Sequence, residues 1–568
     1  MHFKISSYES IGAAFWERFK RFGKKTALIE GDRDEERVRY TYEEAADEGA
    51  RVASLLQDKG FAPGERCAIL MSNQSKLLLS AVGIFWAGGV VVPLDSRAAP
   101  SEQAALLRHC EPKALVVEWA LWEKLRDEIG EGRGSLSIYV TEAPAGEDPS
   151  PALRWESKPV GSFRREPRRS DDVAAILYSS GTGGRMKGCM LTHGQYLSQV
   201  ERFHRHARMR ENDRYFSVLP THHAVDFVFG FLYPLLRGAT VVHQRTLRAQ
   251  YLGSTLRRYR IDVTTFVPLI LKEIQKKIQA QLEALPPFKR KIFSGLVRLN
   301  RFATPRPRHW LSRRLFKKIH EAFGGRLRLV MTGGTFIDPA LVRFFYDVGL
   351  FVGIGYGLTE AGTTVSAPVW SRFCDDNVGK LLPDTRVEIR NADADGVGEI
   401  WLRSPSVMKG YFKDAELTAE VLVDGWLKTG DVGSLDPDGF LKINGRSKNM
   451  IVTDGGKNIH PEDVEMAFED LPGFKEQCVF AAHYVWPEHS AKEDKLILVV
   501  HPQERLSPGE LVKELKIRNR ALADYKRISG FLIWDRDFPR TTSLKVKREQ
   551  LAEQIGDVLK KDSVQGFH

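Results

Sequence analysis

Apolar positions along the chain follow two periods. From Tyr40 to Gly60, YTYEEAADEGARVASLLQDKG spaces them three and four residues apart, as one face of a helix does, and Gly60 supplies the stop. ERCAILM, residues 65–71, is an apolar run of strand length. LLLSAVGIFWAGGVVVPLD, residues 77–95, reads as a buried helix feeding another strand. Such alternation predicts an α/β multidomain chain of layered helices and sheets. Residues 141–172, rich in Pro, Arg and Ser, predict a surface connection. VAAILYSSG, from Val173, then predicts a buried strand running into a glycine-rich loop. No internal repeat and no long heptad run is visible.

Length and composition narrow this picture. A chain of 568 residues is too long for one core and predicts more than one domain, and its 42% apolar content excludes disorder. Cys67, Cys110, Cys189, Cys374 and Cys478 are odd in number, scattered and without metal-ligand spacing, which predicts a reduced compartment and no structural zinc. The opening MHFKISSYESIGAAFWERFKRFG carries charges inside its apolar pattern and predicts no secretory leader. No apolar run of about 18 residues suggests a spanning helix. The expected place is the cytoplasm.

The net charge of +11 is concentrated in one segment, Lys289–Lys318, with eleven Lys or Arg and no acid. Apolar residues sit between its cations, so one reading is peripheral contact with the anionic inner face of a membrane. A solvated basic helix pair is the second, and nucleic acid, unsupported by any recognition motif, is not expected. Pro286, Pro287, Pro305 and Pro307 are expected to cut the segment into short pieces.

The loop after Val173 reads YSSGTGGRMKG, residues 178–188. Glycines leaving a strand expose backbone N–H groups in a concave array suited to phosphate, and Ser179, Ser180, Thr182 and Lys187 add donors. The G-x-x-x-x-G-K-[ST] phosphate loop does not fit, because Lys187 is followed by Gly188. An ordinary flexible loop is the alternative.

Read with the segments downstream, this stretch resembles the phosphate loop [ST]SGTTGxPKG of the ANL adenylate-forming enzymes. Ser180, Gly181, Thr182, Gly184, Lys187 and Gly188 match, while Gly183 and Met186 replace the usual threonine and proline. MTGGTFIDPAL resembles the segment lining the adenine pocket, with Gly333 and Gly334, and GYGLTE resembles the Y-G-x-T-E motif. The resemblance implies that Gly355, Tyr356, Gly357 and Thr359 help to hold the nucleotide and that Glu360, with Thr182, ligates Mg²⁺. GWLKTGDVG supplies Asp431 for the ribose hydroxyls. INGRSKNMIVTDGGKNIHPEDVE supplies Arg446 and Lys457 for the nucleotide, Lys448 as a hinge, and Gly455 and Gly456 for a coenzyme A tunnel. PRTTSLKVKR aligns Lys545 with the catalytic lysine, with Leu544 in place of the usual glycine and Lys547 as the competing cation on the same strand.

The implied architecture is a large N-terminal AMP-binding domain, residues 1–445, and a small mobile α+β cap domain, residues 446–568. The implied reaction is activation of a carboxylic acid by ATP to an acyl-adenylate, followed by transfer to coenzyme A. His223 in LPTHHAVDFVFGFLYPLL matches the position beside the carboxylate site. Val225, Phe227 and Phe229 then line the acyl pocket, or are simply core. Residues 271–293 and the run to Gly334 resemble an insertion of long-chain fatty acyl-CoA synthetases, so a medium- to long-chain fatty acid is the expected substrate. A carrier-protein phosphopantetheine as acceptor, or a weakened nucleotide-binding or membrane-surface scaffold, are the alternatives.

Overall fold

The computed structural model describes residues 4–129, 136–150, 152–157, 161–179, 186–206, 209–303, 309–334, 337–369, 373–452, 458–469, 471, 473–486, 495–502, 508–540 and 546–567. They form two compact units, one of residues 1–386 and 403–427, the other of residues 387–402 and 428–568.

The first unit holds two large sheets. One has the strand order Gly410–Tyr411, Lys187–Thr192, Val173–Ser179, Val90–Pro93, Arg66–Leu70, Ala114–Glu118, Ser137–Thr141, Leu153–Arg154. Its pairs from Val173–Ser179 onward are parallel, whereas Lys187–Thr192 folds back antiparallel on Val173–Ser179. The other runs Val352–Gly355, Leu329–Gly333, Val263–Thr265, Arg214–Ser217, Thr240–Gln244, Thr26–Asp32, Glu35–Thr41, parallel up to its final hairpin. Central strands are buried on both faces, as continuous apolar runs such as Val90–Pro93 require. Helices Tyr42–Asp58 and Ser75–Trp86 cross so closely that a Cβ on Gly83 would stand 2.5 Å from the Gly49 oxygen.

Four expectations are corrected. The helix expected from Tyr40 begins at Tyr42, because Thr41 caps it: its hydroxyl accepts from the Glu44 N–H while the Glu44 carboxylate accepts from the Thr41 N–H. The connection after Thr141 is pinned to the core, with Trp155 buried and Phe163 stacked on Trp86. The apolar helix after His223 runs as a short turn, Ala224–Asp226, a π-helix, Phe227–Leu232, and an α-helix, Tyr233–Arg237. The basic segment contains one unbroken 17-residue helix, Pro287–Ala303. Pro287 takes its first position, where a missing N–H costs nothing. Pro305 and Pro307 lie outside the described residues.

The second unit carries most of the strands Gly398–Arg403 and Trp426–Leu435, all of Leu441–Arg446, and a separate three-stranded sheet of Phe474–Ala481, Leu496–Pro502 and Ile528–Ile533. Side chains of this last sheet alternate between two cores, Val479 and Ala481 entering one, Cys478 and Phe480 the other. Helices Pro461–Ala467 and Arg548–Val558 pack beside it, anchored where Arg548 meets Glu465 at 2.5 Å.

Candidate active site

In the first sheet, the strand Val173–Ser179 ends at the antiparallel pair Ser179↔Lys187. Ser180, Gly181, Thr182, Gly183 and Gly184 fall between them, outside the described residues. Just beyond, Lys187 Nζ lies 5.8 Å from the centroid of the Tyr411 ring, a cation–π distance. The Tyr411 hydroxyl donates to Glu360 Oε1 at 2.8 Å. Lys187, Tyr411 and Glu360 therefore form one cluster. Burial, and then the Glu360 carboxylate, push the Tyr411 phenol upward, so it stays a donor.

Glu360 sits in the short 3₁₀ turn Thr359–Ala361, and a buried frame fixes that turn. The frame starts on the helix His193–His206, with Gln199 and Arg202 0% and 3% exposed. Arg202 donates to the hydroxyls of Ser404 (2.8 Å), Thr385 (2.9 Å) and Ser406 (2.8 Å), to the Pro383 oxygen (3.2 Å), and to Gln199 Oε1 (2.7 Å). Ser406 in turn donates to the Ala361 oxygen at 2.8 Å, Gln199 to the Thr364 oxygen at 2.9 Å, and the Met408 N–H to the Glu360 oxygen at 2.7 Å. These acceptors are all uncharged, and burial pulls the Arg202 guanidinium down to about 10. It remains a cation at neutral pH.

Gly333 and Gly355 are direct partners at the ends of neighbouring parallel strands. Ligands of such sheets gather at these carboxyl ends. A Cβ on Gly357 would stand 1.5 Å from the Thr363 oxygen, so the turn that carries Glu360 admits no side chain there. Gly334 has φ +83°, Tyr356 is 9% exposed, and Thr359 is half-buried.

His223 precedes the turn Ala224–Asp226, and the Thr363 hydroxyl donates to the Ala224 oxygen at 3.0 Å. The His223 and Glu360 segments are thereby joined. The His223 ring, half-buried, lies 4.3 Å from that of His222. Burial holds His222 down at about 3, so its approach to Asp95 (3.6 Å) is not an ion pair at neutral pH. Phe227 and Phe229 pack in the core, against Phe231 and Phe203, and Val225 lies at its edge. Asp226 is fully buried, accepts from Ser217 and Thr221, and is pushed by burial to about 7.

In the second unit, Asp431 and Arg446 face each other across paired strands, Oδ1 to Nε 2.8 Å. Asp431 is 4% exposed, and its N–H donates to Thr429 Oγ1 at 3.0 Å. Lys448, in the turn Ser447–Asn449, reaches Glu549 at 3.5 Å. Gly455, Gly456, Lys457 and Lys545 lie outside the described residues. Arg540 and Val546 bridge each other on either side of the lysine-bearing segment. Lys547 is not on a strand but caps the helix Arg548–Val558, a correction that follows from the helix starting one residue later.

Sequence reading missed Tyr411, Gln199 and Arg202. Tyr411 lies in the stretch GEIWLRSPSVMKGYF, residues 398–412, between the Glu360 and Asp431 motifs; Gln199 and Arg202 carry no local signal. Among the described residues no three His, Cys, Asp or Glu side chains gather as a metal cage. A half-buried carboxylate oriented by a hydroxyl suits Mg²⁺, which takes one or two carboxylates together with substrate phosphates.

Known proteins resemble this chain along most of its length. It is 28% identical over 558 residues to a 3-[(3aS,4S,7aS)-7a-methyl-1,5-dioxo-octahydro-1H-inden-4-yl]propanoyl:CoA ligase of Rhodococcus jostii, covering 94% of this chain and 96% of the relative. It is 26% identical over 544 residues to the chloroplastic long-chain-fatty-acid–[acyl-carrier-protein] ligase AEE15 of Arabidopsis thaliana, covering 82% and 73%. The fold matches that of the Bacillus subtilis O-succinylbenzoate coenzyme A synthetase in complex with AMP, with TM-score 0.74 and 22% identity over 95% of this chain and 97% of that one. A family profile described as AMP-binding enzyme matches residues 15–412, and with the sheets, the Glu360 turn and these likenesses in place, the chain belongs to the AMP-binding enzyme family of the ANL superfamily.

Proposed function

We propose that the protein joins a carboxylic acid, most simply a medium- to long-chain fatty acid, to the thiol of coenzyme A, using ATP and releasing AMP and pyrophosphate. The observation that carries this reading is the Lys187–Tyr411–Glu360 cluster beside the strand end that feeds the phosphate-type loop. In the first step a carboxylate oxygen attacks the α-phosphorus of ATP, the bond to the bridging oxygen breaks, and pyrophosphate leaves. In the second, the thiol sulfur attacks the acyl carbon, the carbon–oxygen bond breaks, AMP leaves, and the thiol proton passes to solvent. Carboxylate alone does not react with a thiol, because oxide is too poor a leaving group.

Negative charge gathers on phosphate oxygens in the first step, and preset positive groups stabilise it. Lys187 and Lys545 supply that charge. Mg²⁺, held by Glu360 and Thr182, supplies further neutralisation of the phosphates when bound. Asp431 accepts from the ribose hydroxyls, Tyr356 stacks on adenine, and Gly333, Gly334, Gly355 and Gly357 let the base approach the backbone. Arg446 and Lys457 assist at the nucleotide, and His223 stands beside the substrate carboxylate. Val225, Phe227 and Phe229 border the acyl chain. Movement of the 446–568 cap about Lys448 exchanges the lysine for the thiol route past Gly455 and Gly456.

The apolar helix after His223 supports a long chain. A carrier-protein phosphopantetheine is the second reading for the acceptor, because the Arabidopsis relative is named for one. ATP–pyrophosphate exchange with acids from short to long tests the first step, on the parent and on Lys545→Ala and Lys547→Ala. Exchange driven by long acids and lost only in Lys545→Ala is the expected result; ATP binding without exchange for any acid overturns it. AMP release dependent on free coenzyme A, not on carrier protein alone, decides the acceptor.

A further inference from the structure

The helix Pro287–Ala303 has two apolar faces. One, formed by Phe293, Leu296 and Val297, packs into the core beside the seven-stranded sheet, with Phe293 on Phe316 at 5.6 Å between centroids. Polar bonds lock it there. Asn300, 1% exposed, donates to the Asp347 backbone oxygen at 3.1 Å and accepts from Ser312 at 3.0 Å, while Arg301 binds the Asp347 carboxylate at 2.6 Å. This face alone explains why the helix is ordered against the first unit.

The other face is unused by the core. Phe288, Ile292, Leu299 and Phe302 are 59, 58, 49 and 88% exposed. With Gly295 among them, they follow the four-three spacing that lines side chains into one stripe along a helix about 25 Å long. Four large apolar side chains in one line are not the scattered exposure that ordinary surfaces tolerate. Lys291 and Arg298 run along the edge of the stripe away from the core, at helical angles next to Phe302 and Gly295. The whole helix carries five cations, Lys289, Arg290, Lys291, Arg298 and Arg301, and no acid.

That charge selects the occupant. A second copy stacked on this stripe would bring the Lys291 and Arg298 edge against cations of the same sign, a like-charge contact that costs rather than stabilises. An anionic lipid surface complements it, because the apolar stripe enters the headgroup boundary while Lys and Arg stems reach outward to phosphates. We propose that the helix Pro287–Ala303 is a membrane-docking element, with Phe288, Ile292, Leu299 and Phe302 inserting and Lys291 and Arg298 contacting anionic headgroups. The element needs no particular acyl substrate.

The test is co-sedimentation of the full chain with phosphatidylcholine vesicles, with and without about 30% phosphatidylglycerol, at low and high salt. The parent binds the anionic vesicles only, and less as salt rises. Phe302→Ser weakens binding about ten-fold, and Lys291→Glu with Arg298→Glu abolishes it. These exposed substitutions leave the thermal midpoint unchanged, which separates lost docking from lost folding. Binding indifferent to lipid charge, or untouched by both variants, overturns the proposal. So does a parent dimer that Phe302→Ser converts to monomer, since the stripe then belongs to a second copy. Because vesicle binding is read without turnover, its failure and a failure of acid activation are separate results.

Discussion

Glu360 in the first unit and Lys448 in the second are both charged residues on which the proposed chemistry depends, and they are held in opposite ways. Glu360 is fixed by Tyr411 and by a turn that Arg202, Gln199 and Ser406 bind from within the core. Lys448 forms an ion pair with Glu549 at the surface, the two side chains 40% and 44% exposed. Exposed pairs contribute only about 0–1 kcal/mol, whereas removing a partner from a buried polar network leaves groups that water cannot reach. The difference fits the roles proposed for them: a metal ligand for phosphates must not move, and a hinge must. Buried hydrogen bonds resist movement, whereas contacts that solvent already shares oppose it little.

Substitutions sharpen this contrast in a definite order. Glu360→Gln keeps an acceptor for Tyr411 but loses the charge, and should lower kcat/KM for adenylation about 10²–10³-fold with an unchanged thermal midpoint. Pyrophosphate exchange and a melting curve together read both parts. Arg202→Met should cost the first unit about 2–4 kcal/mol in urea unfolding, because Gln199, Ser404 and Ser406 lose a charged donor at once. Arg202→Lys should not restore it, since an ammonium cannot span five acceptors on three segments. A full rescue by lysine would remove the frame from the account.

Asp226 adds a pH signature to the same buried region. Its folded carboxyl titrates at about 7, above the 3.8 of a free aspartate, so the folded chain holds a proton that the unfolded chain releases between those values. Stability from this group is therefore complete below about pH 4 and is lost as pH rises to about 7. Asp226→Asn should flatten that fall, seen as a difference in unfolding free energy against pH on the order of a few kcal/mol. The smallest effect is expected at Lys448, the proposed hinge. Lys448→Ala should shift the thermal midpoint by at most a degree or two, as an exposed pair worth about 0–1 kcal/mol dictates. A large destabilisation there would break the comparison.

Glu360 and Asp431 were singled out only by resemblance to a known family, whereas local patterns were enough for the layered α/β fold and for the strand Val173–Ser179. Hydrophobic period and turn chemistry act over a few residues, and those features are local. Arg202 reaches Ser404 and Ser406 across two hundred residues of chain, so nothing near it in sequence announces the bond. Prolines around the basic segment misled for another reason: Pro287 starts its helix rather than breaking it. Thr41 acts likewise at Tyr42, where a cap, not the apolar period, sets the boundary. Trp155 and Phe163 tether a polar stretch whose composition reads as loop.

The most direct test of the central claim follows the oxygen. An acid labelled with ¹⁸O in both carboxyl positions is turned over with ATP and coenzyme A, and the AMP and pyrophosphate are analysed by mass. Attack of the carboxylate on the α-phosphorus predicts one labelled oxygen in AMP, none in pyrophosphate, and one retained in the thioester. Unlabelled AMP with label in pyrophosphate or phosphate would contradict the acyl-adenylate and the role given to the Glu360 cluster with it.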